Sequence, residues 1–194
     1  MSSIRIESGL PNNPSIKVGI FEESHRLKAA SVWGPVGAEA VLAQALPESI
    51  SLFYESFDVL AARAEGLRYA ATLEEYGVNI IPVRDTLAST LTPTGFQSKS
   101  DLVAQLTRKA KDFQDHYETK VDNYGDQIEI LVEQDIERYG EKQALALNEV
   151  LCLIPTLPLG NLIYARDQMN VLLNYRVSSS MTKDIRKPEL HYDW

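Results

Sequence analysis

The chain has 194 residues, enough for one domain with a real core, or for one domain carrying an insertion. Apolar residues at 44% and charged residues at 24% are ordinary globular values, and a net charge of −8 without a clustered basic stripe argues against a nucleic-acid surface. No apolar run reaches the length of a membrane span, no signal-peptide core is seen, and a single cysteine excludes an internal disulfide, so a cytoplasmic setting is the default expectation.

Residues 1–15 read as a polar lead-in. A first strand is expected over 16–21, then a turn over 22–25 that His25 caps rather than uses for chemistry. A second strand spans 27–33 and closes at Gly34-Pro35. Residues 38–46 form a short helix ended by Pro47. A longer helix runs over 57–76, with Leu60, Ala64, Leu67 and Ala71 on one stripe and Gly77 as its stop. Residues 78–83 then form a third strand.

From Asp85 to Gly95 the character changes to that of a linker, with Thr92-Pro93-Thr94-Gly95 at its end. Residues 98–140 read as helices. Leu102, Leu106, Ala110, Phe113, Tyr117 and Val121 repeat at three and four; Gly125 breaks the pattern; Ile128, Leu131, Val132 and Ile136 restart it, and Gly140 stops it. A short helix over 144–150 follows. The charges along this region, Lys109, Lys111, Asp112, Asp115, Glu118, Lys120, Glu133 and Glu137 among them, are expected to face solvent. Cys152 lies in the apolar run Val150-Leu151-Cys152-Leu153-Ile154 with no nearby base, so it is expected to be a core thiol. His and Cys residues are too few at ligand spacing for a structural zinc site, and no cofactor is expected.

Residues 157–169, Leu-Pro-Leu-Gly-Asn-Leu-Ile-Tyr-Ala-Arg-Asp-Gln-Met, carry the candidate chemistry. Pro158 and Gly160 make a bend, and the β-prone run Leu162-Ile163-Tyr164 delivers Arg166 and Asp167 to its far end. Neighbouring strand residues point to opposite faces, so only one of the pair can turn inward. An inward carboxylate needs a cationic partner, either a protein Arg or Lys or a ligand.

This run resembles the segment of arginine deiminases and related guanidino-modifying enzymes that reads Pro-Asn-Leu-x-Phe/Tyr-Thr-Arg-Asp. Met181 falls where that family has a Met after a hairpin, and Arg186 and Glu189 fall on its Arg-x-x-Glu motif. The sequence departs from the pattern at Gly160, Ala165 and Gln168, at Leu173 and Tyr175 in the hairpin, and at Pro188. The resemblance implies an α/β fold of ββαβ modules, part of a pentein propeller with an inserted helical hairpin. Residues 1–95 would form the first module or modules, 96–148 the insertion and 149–194 a second, truncated module.

It further implies a small guanidino substrate, with Asp167 on the guanidinium and Asn161 and Arg186 on the amino-acid end, Arg186 forking to the α-carboxylate. The family hydrolyses arginine to citrulline and ammonia through a covalent cysteine–amidino intermediate. Its nucleophile and its His and Glu lie in segments that match nothing here, so the chain is expected to be the N-terminal part of such an enzyme and inactive alone. The aromatic ending, Tyr192-Asp193-Trp194, suits the start of a strand and is read as a truncation. An amidinotransferase, an arginine dihydrolase or a dimethylarginine-type hydrolase is compatible with the departures. A non-catalytic arginine-binding or regulatory relic is the reading from a different class. The expected partners are the guanidino substrate and a second copy, met through the helical insert or an open propeller edge, with neither nucleic acid nor membrane.

Overall fold

The structure, a computed structural model, describes residues 26–51, 53, 55–91, 95–96 and 98–159, and the backbone of 169–172 and 175–178. Strand β1 (Ala29–Val32) leads into helix α1 (Ala38–Gln44), whose Ala38–Ala43 stretch is buried throughout. A single turn, α2 (Glu48–Ser51), follows Pro47. Helix α3 (Val59–Glu75) begins where Asp58 accepts a hydrogen bond from Ala61 N at 3.0 Å. It ends at Gly77, whose left-handed backbone (φ +76°) lets Val78 N donate to Leu73 O at 3.0 Å.

The reversal feeds β2 (Asn79–Pro82), which pairs in parallel with β1, Ala29 opposite Asn79 and Val32 opposite Pro82. Helix α4 (Val83–Thr90) starts directly at the strand's end. Helix α5 (Lys99–Tyr117), capped by Ser98, packs on helix α6 (Tyr124–Tyr139), the two joined by a turn in which Glu118 and Asn123 both take left-handed backbone. Helix α7 (Glu141–Asn148) begins at Gly140 (φ +82°) and passes without a break into a π-turn, Glu149–Leu153. Beyond it, β3 (Met169–Leu172) and β4 (Tyr175–Ser178) form an antiparallel hairpin with Leu172 opposite Tyr175.

One core joins these helices. Trp33, Val41, Leu42, Val59 and Ala88 from the first half pack with Leu102, Leu106, Ala110, Ile128, Leu131 and Val132 from α5 and α6, and with Leu147, Leu151 and Cys152. The expected ββαβ architecture is therefore overturned. Across the described residues of 26–159 helix takes up 66% and strand 6%, and the sheet there is one parallel pair. The physical reason is where apolar surface is buried. Four-residue strands bury little, whereas α1, α5, α6 and α7 supply most fully buried side chains, so the helices are the body of the fold and not an insert upon it.

Several local expectations also change. Of the stripe expected on α3, Leu60 packs against the core, but Ala64, Leu67 and Ala71 are exposed, and the helix's buried residues are Val59 and Arg63. The stretch read as a linker from Asp85 holds α4. Gly125 lies inside the first turn of α6, and the break precedes it at 118–123. The first expected strand (16–21), His25 and the run 162–164 lie outside the described residues.

Candidate functional site

Asn161, Asp167 and Arg186, with Met181 and Glu189, lie outside the described residues. What is described are the two flanks of the Asn161–Asp167 stretch. On the near side, Leu159 is buried and its N donates to Leu151 O at 2.9 Å. On the far side, the hairpin begins two positions after Asp167, at Met169.

The described chain brings a different set of charged side chains together. Glu39 on α1 accepts hydrogen bonds from Gly37 N (2.9 Å) and Trp33 Nε1 (3.4 Å), and from Arg84 Nη1 (3.1 Å). Arg84 on α4 also donates to Pro35 O (3.0 Å) and, through Nη2, to Asp135 Oδ2 on α6 (2.7 Å). Asp135 takes a second guanidinium on Oδ1, Arg63 Nη2 from α3 at 2.9 Å, and its Oδ2 also accepts from the amide Nδ2 of Asn148 on α7 at 3.0 Å. Arg84, Glu39 and Asp135 are essentially without solvent contact, and Arg63 is nearly so.

Two carboxylates thus meet two guanidiniums, and the charges cancel. Burial works against the charged form of Arg84, but Asp135 and Glu39 outweigh it and hold that guanidinium more firmly protonated than usual. The set is buried and holds no nucleophile, so its chemistry is that of a tie between helices. Sequence reading missed it, yet a signal existed. Asp135 stands at i+7 from Ile128 with Leu131 and Val132 between, completing the apolar stripe of α6 with a carboxylate.

Cys152 is fully buried, as expected, and burial pushes its thiol well above the usual range. A thiol so placed does not ionise readily at neutral pH. Beside it, Lys109 is half-buried and donates to Cys152 O at 2.6 Å and Pro155 O at 2.7 Å, with its ammonium 5.6 Å from the Phe113 ring centre. Lys109 therefore does not belong to the solvated face. Burial lowers its pKa from the ordinary lysine value.

An open surface groove of about 470 Å³ runs along α5 between Asp101 and Arg108, beside Gly95 and Phe96. It has one carboxylate, one guanidinium and no nucleophile, and by itself specifies no reaction. Among the described residues no three or more His, Cys, Asp or Glu side chains gather as a metal site would require, and no helix is long and apolar enough to cross a membrane. Comparison with protein families, with curated proteins and with solved structures gives no match.

Proposed function

We propose that this chain holds a guanidino substrate, with Asp167 on the guanidinium and Asn161 and Arg186 on the amino-acid end. The observation that carries the reading is the order and spacing Asn161, Arg166-Asp167, Arg186, Glu189. It rests on side-chain chemistry and not on architecture. A guanidinium is planar and permanently charged, and a carboxylate meets it with paired, charge-assisted hydrogen bonds. A second guanidinium, that of Arg186, suits the substrate's α-carboxylate by the same geometry.

The favoured reaction is hydrolysis of arginine to citrulline and ammonia. A thiolate attacks the guanidinium carbon, ammonia leaves, and water then releases citrulline and returns the thiol. Cys152 is the sequence's one cysteine and its thiol is buried and protonated, so this reading takes the nucleophile from another polypeptide segment. Transfer of the amidino group to an amine, or a dihydrolase reaction, uses the same holding residues. The burial of Cys152 specifically favours a second reading, arginine binding without turnover.

Calorimetric titration with arginine tests the holding role. Asp167→Asn is expected to weaken binding at least tenfold, on the scale of a lost charge-assisted pair, about 1.5–3 kcal/mol. Equal binding by wild type and Asp167→Asn would remove Asp167 from the site. The 194-residue chain alone is expected to form no citrulline, and turnover above that of Cys152→Ala would reinstate Cys152 as the nucleophile.

A further inference from the structure

Helix α3 differs from α5 and α6 in what it shows to solvent. The exposed positions of α5 and α6 are polar or charged, with Ala104 and Ile130 as the exceptions. On α3, Ala61, Ala64, Leu67, Tyr69 and Ala71 are all exposed, and Val59 and Arg63 are its buried residues. At about 100° per residue, Ala64, Leu67 and Ala71 fall within one sector about 60° wide, set to one side of the core-facing residues. A single exposed leucine is ordinary, whereas a continuous apolar stripe along a helix marks an interaction surface. A helix of this length is also marginal in water without packing along its face.

The charges beside the stripe suit a copy of themselves. Arg68 and Glu75 stand seven positions apart, two turns, and so lie on the same flank of the stripe. Both are exposed, and Arg68 meets Glu65 loosely, at 3.9 Å. In two antiparallel helices related by a twofold axis, each flank faces the same flank of the partner, and residues equidistant from the axis stand level. An axis between Ala71 and Thr72 brings Arg68 level with the partner's Glu75, and Glu75 level with the partner's Arg68. It places Ala71 at the crossing, where a small side chain lets the helices approach closely, with Leu67 beside it. The other flank carries Glu74, which faces its own counterpart and limits the affinity.

We propose that α3 is a docking surface for a second copy of this chain, forming an antiparallel helix pair through Leu67 and Ala71 with reciprocal Arg68–Glu75 contacts. This surface lies outside residues 96–148, where the sequence leads one to expect a helical partner face. The patch is far smaller than the about 20–30 residues a side of a standard interface, so the pair is expected to part at about 10 μM and to form toward about 1 mM.

Sedimentation equilibrium and small-angle X-ray scattering of the full chain over that concentration range test the pairing, with urea unfolding as the control on folding. Wild type is expected to pass from monomer to dimer. Leu67→Glu, Arg68→Glu and Glu75→Arg change exposed positions, so each is expected to keep the urea midpoint and to weaken dimerisation at least about tenfold. An equal mixture of Arg68→Glu and Glu75→Arg chains is expected to regain the dimer, because each variant then meets the opposite charge on its partner. Monomer throughout the range overturns the proposal. A lowered urea midpoint for Leu67→Glu would then show the stripe covered by other residues of the same chain, and an unchanged midpoint would leave it open to a different partner. A dimer that survives Leu67→Glu overturns the surface, and a mixture that stays monomeric overturns the antiparallel register.

Discussion

A Cβ at Gly37 would lie 2.6 Å from Arg84 Cζ, closer than two carbons can approach without bonding. Glycine is needed there for room, not for backbone freedom, because the buried guanidinium occupies the space a Cβ would take. Gly37→Ala must push Arg84 off Pro35 O, Glu39 and Asp135, leaving two buried carboxylates short of a partner. Breaking a buried ion pair from one side costs about 3–5 kcal/mol. The urea midpoint of Gly37→Ala is expected to fall accordingly, and an unchanged midpoint would mean that α4 shifts aside freely. The set is not a cheap source of stability. Glu39 Oε2, Arg84 Nε and Asn148 Oδ1 are buried without a hydrogen-bond partner, each at a cost of about 1–3 kcal/mol. Its effect is to fix which helices meet. Little of it was legible in the sequence, since Glu39, Arg84 and Asp135 are separated by 45 and 51 positions, and a lone charge on a helix ordinarily reads as solvated.

At the scale of elements, α4 shows how tertiary contacts override local propensity. The stretch Val83-Arg-Asp-Thr-Leu-Ala-Ser-Thr90 carries β-branched and hydroxyl residues that disfavour a helix, and its sequence reads as the end of a strand at Val83 and, from Asp85, a linker leading to Thr92-Pro93-Thr94-Gly95. Arg84 binds it inward, and Asp85 binds it to α6 through Arg138 Nε (3.0 Å), Arg138 Nη2 (2.6 Å) and Tyr139 Oη (2.7 Å). By contrast β1, α1, the long α3, β2 and the α5–α6 pair follow from glycine stops and apolar periodicity, which are local signals. The Asp85 contact also sets a pH dependence. Burial alone would raise its pKa, but the hydrogen bonds from Arg138 and Tyr139 outweigh that and hold it below the ordinary carboxylate range. A carboxyl whose folded pKa is depressed stabilises the fold above its unfolded value, about 3.9, and that contribution disappears as pH falls through the folded value. Asp85→Asn is expected to lower stability at pH 6 by about 1 kcal/mol, near the upper end for a partly exposed pair. Urea unfolding at successive pH values should show the gap between wild type and variant closing below about pH 4. A gap of constant size down to pH 3 would assign the loss to packing instead.

For the whole molecule, the question is whether residues 96–148 behave as an appendage or as part of one cooperative body. The resemblance that points to Asp167 also implies an appendage, and the residues able to test its chemistry, Asn161, Asp167 and Arg186, lie outside the described part of the chain. Leu106 on α5 has no solvent contact and belongs to the same cluster as Trp33, Leu42 and Val59. A cavity at that position should therefore be felt across the entire core. Leu106→Ala is expected to cost about 2–5 kcal/mol. The sequence holds two tryptophans, Trp33 and Trp194, so placing the mutation in a Trp194→Phe background leaves Trp33 to report on the β1 side of the body. Helical circular dichroism then reports on every helix, a little over half of the helical residues lying in α5, α6 and α7. If one core governs both, the two signals move to lower urea together and with equal midpoints, as two-state unfolding requires. If α5 and α6 fold separately, the dichroism transition shifts while the Trp33 transition stays in place. Coincident shifts would mean that the sheet pair and α3 have no stability apart from α5, α6 and α7, because their own burial is too small to offset the entropy of ordering them.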